Sequence, residues 1–183
     1  MPWDKIPDSD QDLFNENGYI STYGELTKDG LMKILKEKVR IKQGKVFVDL
    51  GSGNGSVTIN AMKMYPQLEL SVGIELSEHR YNKSLELLET MPKSLKKKIK
   101  FFNKDIFDDG FNYEDFDIIY ISNLCFPEEV NDRIGKKVMS ECKRGTDVFC
   151  SKQLSSELDK KQIELFDVCQ TWTNSGKMYH YKV

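Results

Sequence analysis

Apolar positions along this chain follow two spacings. Short solid runs rich in β-branched residues read as buried strands, and longer stretches with apolar residues three and four apart read as helices. Val46–Leu50, Leu70–Glu75, Ile99–Asn103, 117–122 and 146–151 are runs of the first kind. Between them, 27–40 carries Leu31, Ile34, Leu35 and Val39 at helical spacing, with Thr27 as its candidate N-cap. A second helix spans 56–65 and stops at Pro66. A third opens at Ser77 and runs through Leu85, Leu88 and Met91 to the neighbourhood of Pro92. In a fourth, Pro127 fits the first helical position, Glu128 and Glu129 suit the positive end of the helix dipole, and the helix ends near Cys142. The last stretches, 162–171 and 177–183, read as an antiparallel pair around a turn at 173–176. Residues 1–17 are polar and read as a loose or short helical segment. The expected organisation is one domain, with a lead-in over 1–20 and a core over 21–183. Strands alternating with helices predict an α/β fold: a mostly parallel sheet covered on both faces, with an antiparallel C-terminal edge.

Composition narrows the class. A chain of 183 residues, 39% hydrophobic and 31% charged, can bury one globular core. The net charge of −2 supplies no overall basic field for nucleic acid, and the basic run over 93–100 reads as a solvated face. We therefore expect no strong intrinsic DNA-binding segment. No apolar run reaches membrane-spanning length, and the first residues lack the apolar block of a secretory signal. Cys125, Cys142, Cys150 and Cys169 are scattered without C-x-x-C spacing, and His79 and His180 lie far apart. Reduced thiols, an intracellular setting and no metal centre are the expectation.

The chemistry concentrates where the first strand ends. V-F-V-D-L-G-S-G-N-G over 46–55 places Asp49 at a carboxyl strand edge, followed by Gly51, Gly53 and Gly55. Open α/β sheets bind ligands at that edge. Glycines let the backbone turn tightly and approach a ligand. A carboxylate beside the loop repels a pyrophosphate and attracts a cation. Ser52 and Asn54 lie between the glycines, where free N–H groups at a helix start can receive an anion. Glu75 ends the second strand, where a carboxylate can accept two ribose hydroxyls, or be a solvated strand-end acid. Asp105 follows the third strand and can accept an adenine amino group. Ile106 and Phe107 beside it offer an apolar wall, Phe107 alternatively belonging to the core.

The D-x-G-x-G loop resembles the first motif of class I S-adenosylmethionine methyltransferases, which implies their Rossmann-like fold and that cofactor. The segment after the fourth strand sharpens the likeness. Asn123, Phe126, Glu129 and Val130 match the N-N-F-x-F-x-x-E-V of the non-SET histone lysine methyltransferases named for disruption of telomeric silencing; Ser122 and Leu124 depart from it. Tyr23-Gly24-Glu25 resembles the Y-G-E loop of that family, Ser151-Lys152 its S-S-K, and Trp172-Thr173 with Tyr179 its W-T-G-K…S-Y-Y. Ser56 stands where the family has glutamine.

The resemblance implies a compact protein lysine N-methyltransferase acting on a histone or nucleosome. Glu25, Asp49, Gly51, Ser52, Gly53, Gly55, Glu75, Asp105, Ile106, Phe107 and Asn123 would hold the cofactor. Asn123 would stand near the transferred methyl, its amide oxygen or the local backbone orienting the amine. Tyr23, Phe126, Trp172 and Tyr179 would surround the lysine, unless they only pack in the core or on the first helix. The expected protein is a monomer, nuclear in its own cell or a host if the substrate is a histone, and otherwise cytoplasmic. Two alternatives stay open: a methyltransferase of another protein or small-molecule amine, and a non-catalytic binding subunit on the same fold.

Overall fold

The computed structural model describes residues 6–19, 24–155 and 158–183. Seven strands form one sheet: β1 Val46–Leu50, β2 Leu70–Glu75, β3 Ile99–Asn103, β4 Ile118–Ile121, β5 Asp147–Cys150, β6 Gln162–Gln170 and β7 Thr173–Lys182. Their order is β3-β2-β1-β4-β5-β7-β6. The first five are parallel, and β7 runs antiparallel to both β5 and β6. The α/β class, the parallel body and the antiparallel edge are all borne out. The order reverses between β1 and β4, which opens a crevice beyond their carboxyl ends.

Strands in such a sheet are apolar on both sides because helices cover both faces. Val48, Leu50, Ile119 and Ile121 pack on one face with Ile134 and Val138 of α6 (Glu128–Glu141). Phe47, Ile118 and Phe149 pack on the other with Ile59 and Met62 of α3 (Ser56–Met64). On that second face lie also Leu31 of α2 (Lys28–Met32), and Ile34 and Leu35 of the wider π-helical turn Lys33–Lys38 that continues it. The Thr27 hydroxyl accepts from Gly30 N–H and caps α2, as predicted. Ser77 caps α4 (Glu78–Glu89) in the same way. Among the described residues no helix is long and apolar enough to cross a membrane.

One open reading resolves and three local expectations change. The polar lead-in takes its short helical alternative as α1 (Asp8–Glu16), docked on the core. Its Phe14 is buried, and its Asp10 accepts hydrogen bonds from the Ser77 hydroxyl and the His79 N–H. A short helix, α5 (Lys93–Lys96), forms within the basic run. Pro127 precedes α6 in an extended conformation instead of opening it. The last hairpin turns at Thr171 and Trp172, and Gly176 lies within β7. Gly176 marks a close approach and not a turn: a Cβ there would collide with the Gln170 side-chain oxygen.

Candidate active site

The crevice at the β1/β4 reversal is a solvent-open pocket of about 770 Å³. Asp49 reaches it from the end of β1 and is 2% exposed. The loop beyond is tied to β2: Gly51 and Ser52 N–H both donate to the Ile74 carbonyl at 2.9 Å. Gly53 N–H donates to Glu75 Oε2 at 2.7 Å, and Ser77 N–H donates to Oε1 at 2.9 Å. Glu75 therefore fastens the glycine loop to the start of α4 while its carboxylate lines the pocket. Gly53 and Gly55 adopt φ of +55° and +82°, the left-handed region where a side chain is strained.

Carboxylates dominate the polar lining: Glu25, Asp49, Glu75 and Asp105, with Arg80 as the one basic side chain among the described residues there. Burial raises the Asp49 carboxyl well above its ordinary range, and the charges of Glu25 and Glu75 push it further. Burial also raises Glu75, against the lowering pull of the Ser77 N–H and the Arg80 charge. A crowded, desolvated acid cluster of this kind is relieved by a cation. Asp105 accepts from Phe107 N–H at 2.7 Å and from the Tyr19 hydroxyl at 3.2 and 3.1 Å. The Tyr19 phenol is held neutral, its pKa raised by burial and by the Asp105 charge.

Of the predicted residues, Glu25, Asp49, Gly51, Ser52, Gly53, Glu75, Asp105, Ile106 and Phe126 line this one pocket. Phe126 lies over the loop, with its ring edge 3.8 Å from where a Gly51 Cβ would stand, and its ring centroid is 5.9 Å from that of Tyr19. Other placements differ from expectation. Gly55 faces Phe101 and Ser84, where it turns the chain into α3, and it lies outside the pocket lining. Phe107 points away, under the Arg133 guanidinium at 3.8 Å. Asn54 accepts from Ser56 N–H and Oγ at the start of α3. Tyr23 lies outside the described residues.

Asn123 changes most. Its side chain is wholly buried. Nδ2 donates to Asn131 Oδ1 at 2.6 Å and to the Lys152 carbonyl at 2.8 Å, and Oδ1 accepts from Lys152 N–H at 2.9 Å. Its backbone carbonyl accepts from Phe126 N–H at 3.1 Å. The amide clamps the β4 loop to the segment after β5 and is absent from the pocket wall. Of Phe126, Trp172 and Tyr179, Phe126 lines the pocket and the other two lie outside its lining. Trp172 is 40% exposed on the hairpin turn and packs against Gly24, which itself lines the pocket. Tyr179 pairs with Cys150 in the sheet, and its ring lies nearly parallel to that of Tyr181.

The pocket also contains residues that sequence reasoning missed: Phe14 and Tyr19 from the N-terminal segment, Val57, Leu76, Arg80, Tyr120 and Ser122. Tyr120 carried a signal. It is the one side chain with a polar tip inside the apolar run 118–121. The parallel register sets it beside Asp49.

Comparison with known proteins gives a consistent set of matches. The family model for histone methylation protein DOT1 matches residues 9–181. The chain is 30% identical over 151 residues to a Caenorhabditis elegans protein named histone-lysine N-methyltransferase, H3 lysine-79 specific, covering 78% of this chain and 16% of that protein. It is 27% identical over 195 residues to a Gibberella zeae protein of the same name, covering 90% of this chain and 37% of that one. It thus spans well under half the length of these relatives. Solved structures share the fold at low identity. One is a SAM-dependent methyltransferase from Thiobacillus denitrificans in complex with S-adenosyl-L-homocysteine, with TM-score 0.55, 16% identity and coverage of 80% of this chain and 55% of that one. Another is a conserved hypothetical protein from Streptococcus pyogenes, with TM-score 0.59, 12% identity and coverage of 82% and 93%.

Proposed function

The chain belongs to the DOT1 histone methylation family, and from that premise we propose that it is an S-adenosylmethionine-dependent protein lysine N-methyltransferase. Its substrate is a lysine of a nucleosomal core histone, and its place of action is the nucleus where that histone resides. The position named for its relatives, lysine 79 of histone H3, is the first to test. The observation that carries the cofactor reading is the desolvated Asp49 carboxylate above the glycine loop, in a lining with four acids and one arginine. The residues fit a methyl donor bearing an ammonium and a sulfonium. They offer negative charge where that donor is positive. They also hold two buried hydroxyls, Ser52 Oγ and Tyr120 Oη, that meet no partner in full hydrogen-bond geometry among the described residues.

When bound, S-adenosylmethionine supplies an electrophilic methyl group for in-line transfer to an amine. The protein supplies the positioning. Asp49 and Glu25 draw the ammonium end. Glu75 keeps lone pairs for ribose hydroxyls beyond those that hold Gly53 and Ser77. Asp105 accepts the adenine amino group against the apolar side of Ile106. Phe126, in the pocket lining, would cover the sulfur end of the donor. The lysine amine would attack in its neutral form, its proton passing to the solvent that the open pocket admits. The protein's share of the rate would be the alignment of that amine with the donor. Asn123 contributes by fixing the β4 loop that bears Phe126, through the clamp to Lys152.

The test is mass spectrometry of intact nucleosomes, free histones and a panel of small amines after incubation with the protein and S-adenosylmethionine. Methylation of a core histone lysine in nucleosomes is the expected result. Methylation of small amines alone would sink the histone assignment, and no binding of the methyl donor would sink the enzyme itself.

A further inference from the structure

Tyr120 is 1% exposed, at the end of β4; the Ser122 hydroxyl neighbours its phenol oxygen, but no group among the described residues meets it with full hydrogen-bond geometry. A buried hydroxyl left unpaired costs stability, so such groups call for an explanation. Packing alone does not explain this one, because phenylalanine would fill the same space without the cost. Ser155 Oγ is also unpaired but lies outside the pocket lining; Ser52 Oγ and Tyr120 Oη are the unpaired hydroxyls that line it among the described residues, and Tyr120 is the one set beside Asp49 by the strand register. The register pairs it with Asp49 across β1 and β4. Glu25, Asp49 and Tyr120 all line the one pocket.

We propose that Tyr120 binds the amino-acid end of the methyl donor, its phenol oxygen completing with the Asp49 and Glu25 carboxylates a three-acceptor seat for a primary ammonium. The assignment rests on the methyl-donor reading above and adds to it a residue that selects for the donor's amino group. An ammonium has three N–H donors, which oxygens of these three pocket-lining residues would accept. The phenol oxygen would present a lone pair to the ligand. No proton changes owner. A ligand carboxylate is the wrong partner for this seat, because two anionic side chains already flank it. Burial and the Asp49 charge keep the phenol protonated, so it serves as a neutral hydrogen-bonding group across the working pH range.

The experiment compares two ligands on Tyr120→Phe and the unaltered protein by isothermal titration. S-Adenosylhomocysteine carries the ammonium; 5′-methylthioadenosine has the same adenosine and sulfur without the amino-acid end. Loss of a hydrogen bond to a charged group predicts affinity for S-adenosylhomocysteine falling by about tenfold or more, with affinity for methylthioadenosine unchanged. The unliganded variant keeps or raises its melting temperature, because the change removes an unpaired hydroxyl. Unchanged affinity for S-adenosylhomocysteine, or equal losses for both ligands, overturns the seat. If the unaltered protein binds neither ligand, the methyl-donor reading falls and the seat falls with it.

Discussion

Substituting Asn123 by alanine separates a structural amide from a catalytic one. The side chain makes three hydrogen bonds at 2.6, 2.8 and 2.9 Å and is 0% exposed. Each typical bond contributes about 1 kcal/mol net, and each buried partner left unpaired adds about 1–3 kcal/mol. Asn131 Oδ1 is stranded inside the protein, whereas the Lys152 backbone groups lie nearer the surface and can recover water. The sum is about 4–6 kcal/mol, a large part of the roughly 5–15 kcal/mol that holds a domain together. Asn131 also donates to the Phe126 and Pro127 carbonyls, so loosening it frees the loop that carries Phe126 into the pocket. Urea unfolding of Asn123→Ala should show the unfolding free energy falling by this amount, through a lower midpoint at an unchanged slope. Affinity for S-adenosylhomocysteine, titrated where the variant is still folded, should weaken with the loosened loop. If stability drops by less than about 1 kcal/mol while methylation collapses, the amide acts on the substrate and the clamp is secondary.

The acid cluster predicts a trade between stability and binding. The folded-state pKa of Asp49 is raised, so its contribution to stability is full at low pH and lost as pH rises through the raised value. Asp49→Asn should therefore raise the melting temperature of the unliganded protein at neutral pH, with little gain in acid, and should abolish binding of S-adenosylhomocysteine. A destabilised variant that still binds would refute the role given to the carboxylate. In the unaltered protein, affinity for the same ligand should weaken as pH falls through the raised Asp49 value, because the neutral acid no longer attracts an ammonium; a flat profile counts against it. Gly24→Ala would drive a methyl group into the Trp172 ring. With Trp3 replaced by phenylalanine so that Trp172 alone reports, its emission should shift to the red. An unshifted spectrum would mean that the ring does not pack on this loop.

Much of this site was legible because its geometry is local. A solid apolar run followed by D-L-G-S-G-N-G can form little other than a strand, a tight turn and a helix start, and the strand bounds Val46–Leu50 and Leu70–Glu75 follow from composition alone. Glu75 and Asp105 are strand-end acids for the same reason. What stayed hidden depends on groups far along the chain. Phe14 and Tyr19 sit in a polar segment whose docking rests on Asp10 meeting the start of α4. Gly176 reads as a turn residue until the Gln170 side chain lies across it.

The fourth strand concentrates the lesson in two residues, Tyr120 and Asn123. Sequence assigns the chemistry to the amide and the packing to the phenol, because amides hydrogen-bond and aromatics fill cores. The structure reverses this, since a polar group is available to a ligand only to the extent that the protein leaves it unsatisfied. The Asn123 amide is satisfied by Asn131 and by a backbone segment 29 positions away. The Tyr120 hydroxyl, which lines the pocket with two acids, has only the Ser122 hydroxyl near it and no partner in full hydrogen-bond geometry among the described residues. Counting partners across the fold, rather than ranking residue types along the sequence, identifies which of the two is poised to bind.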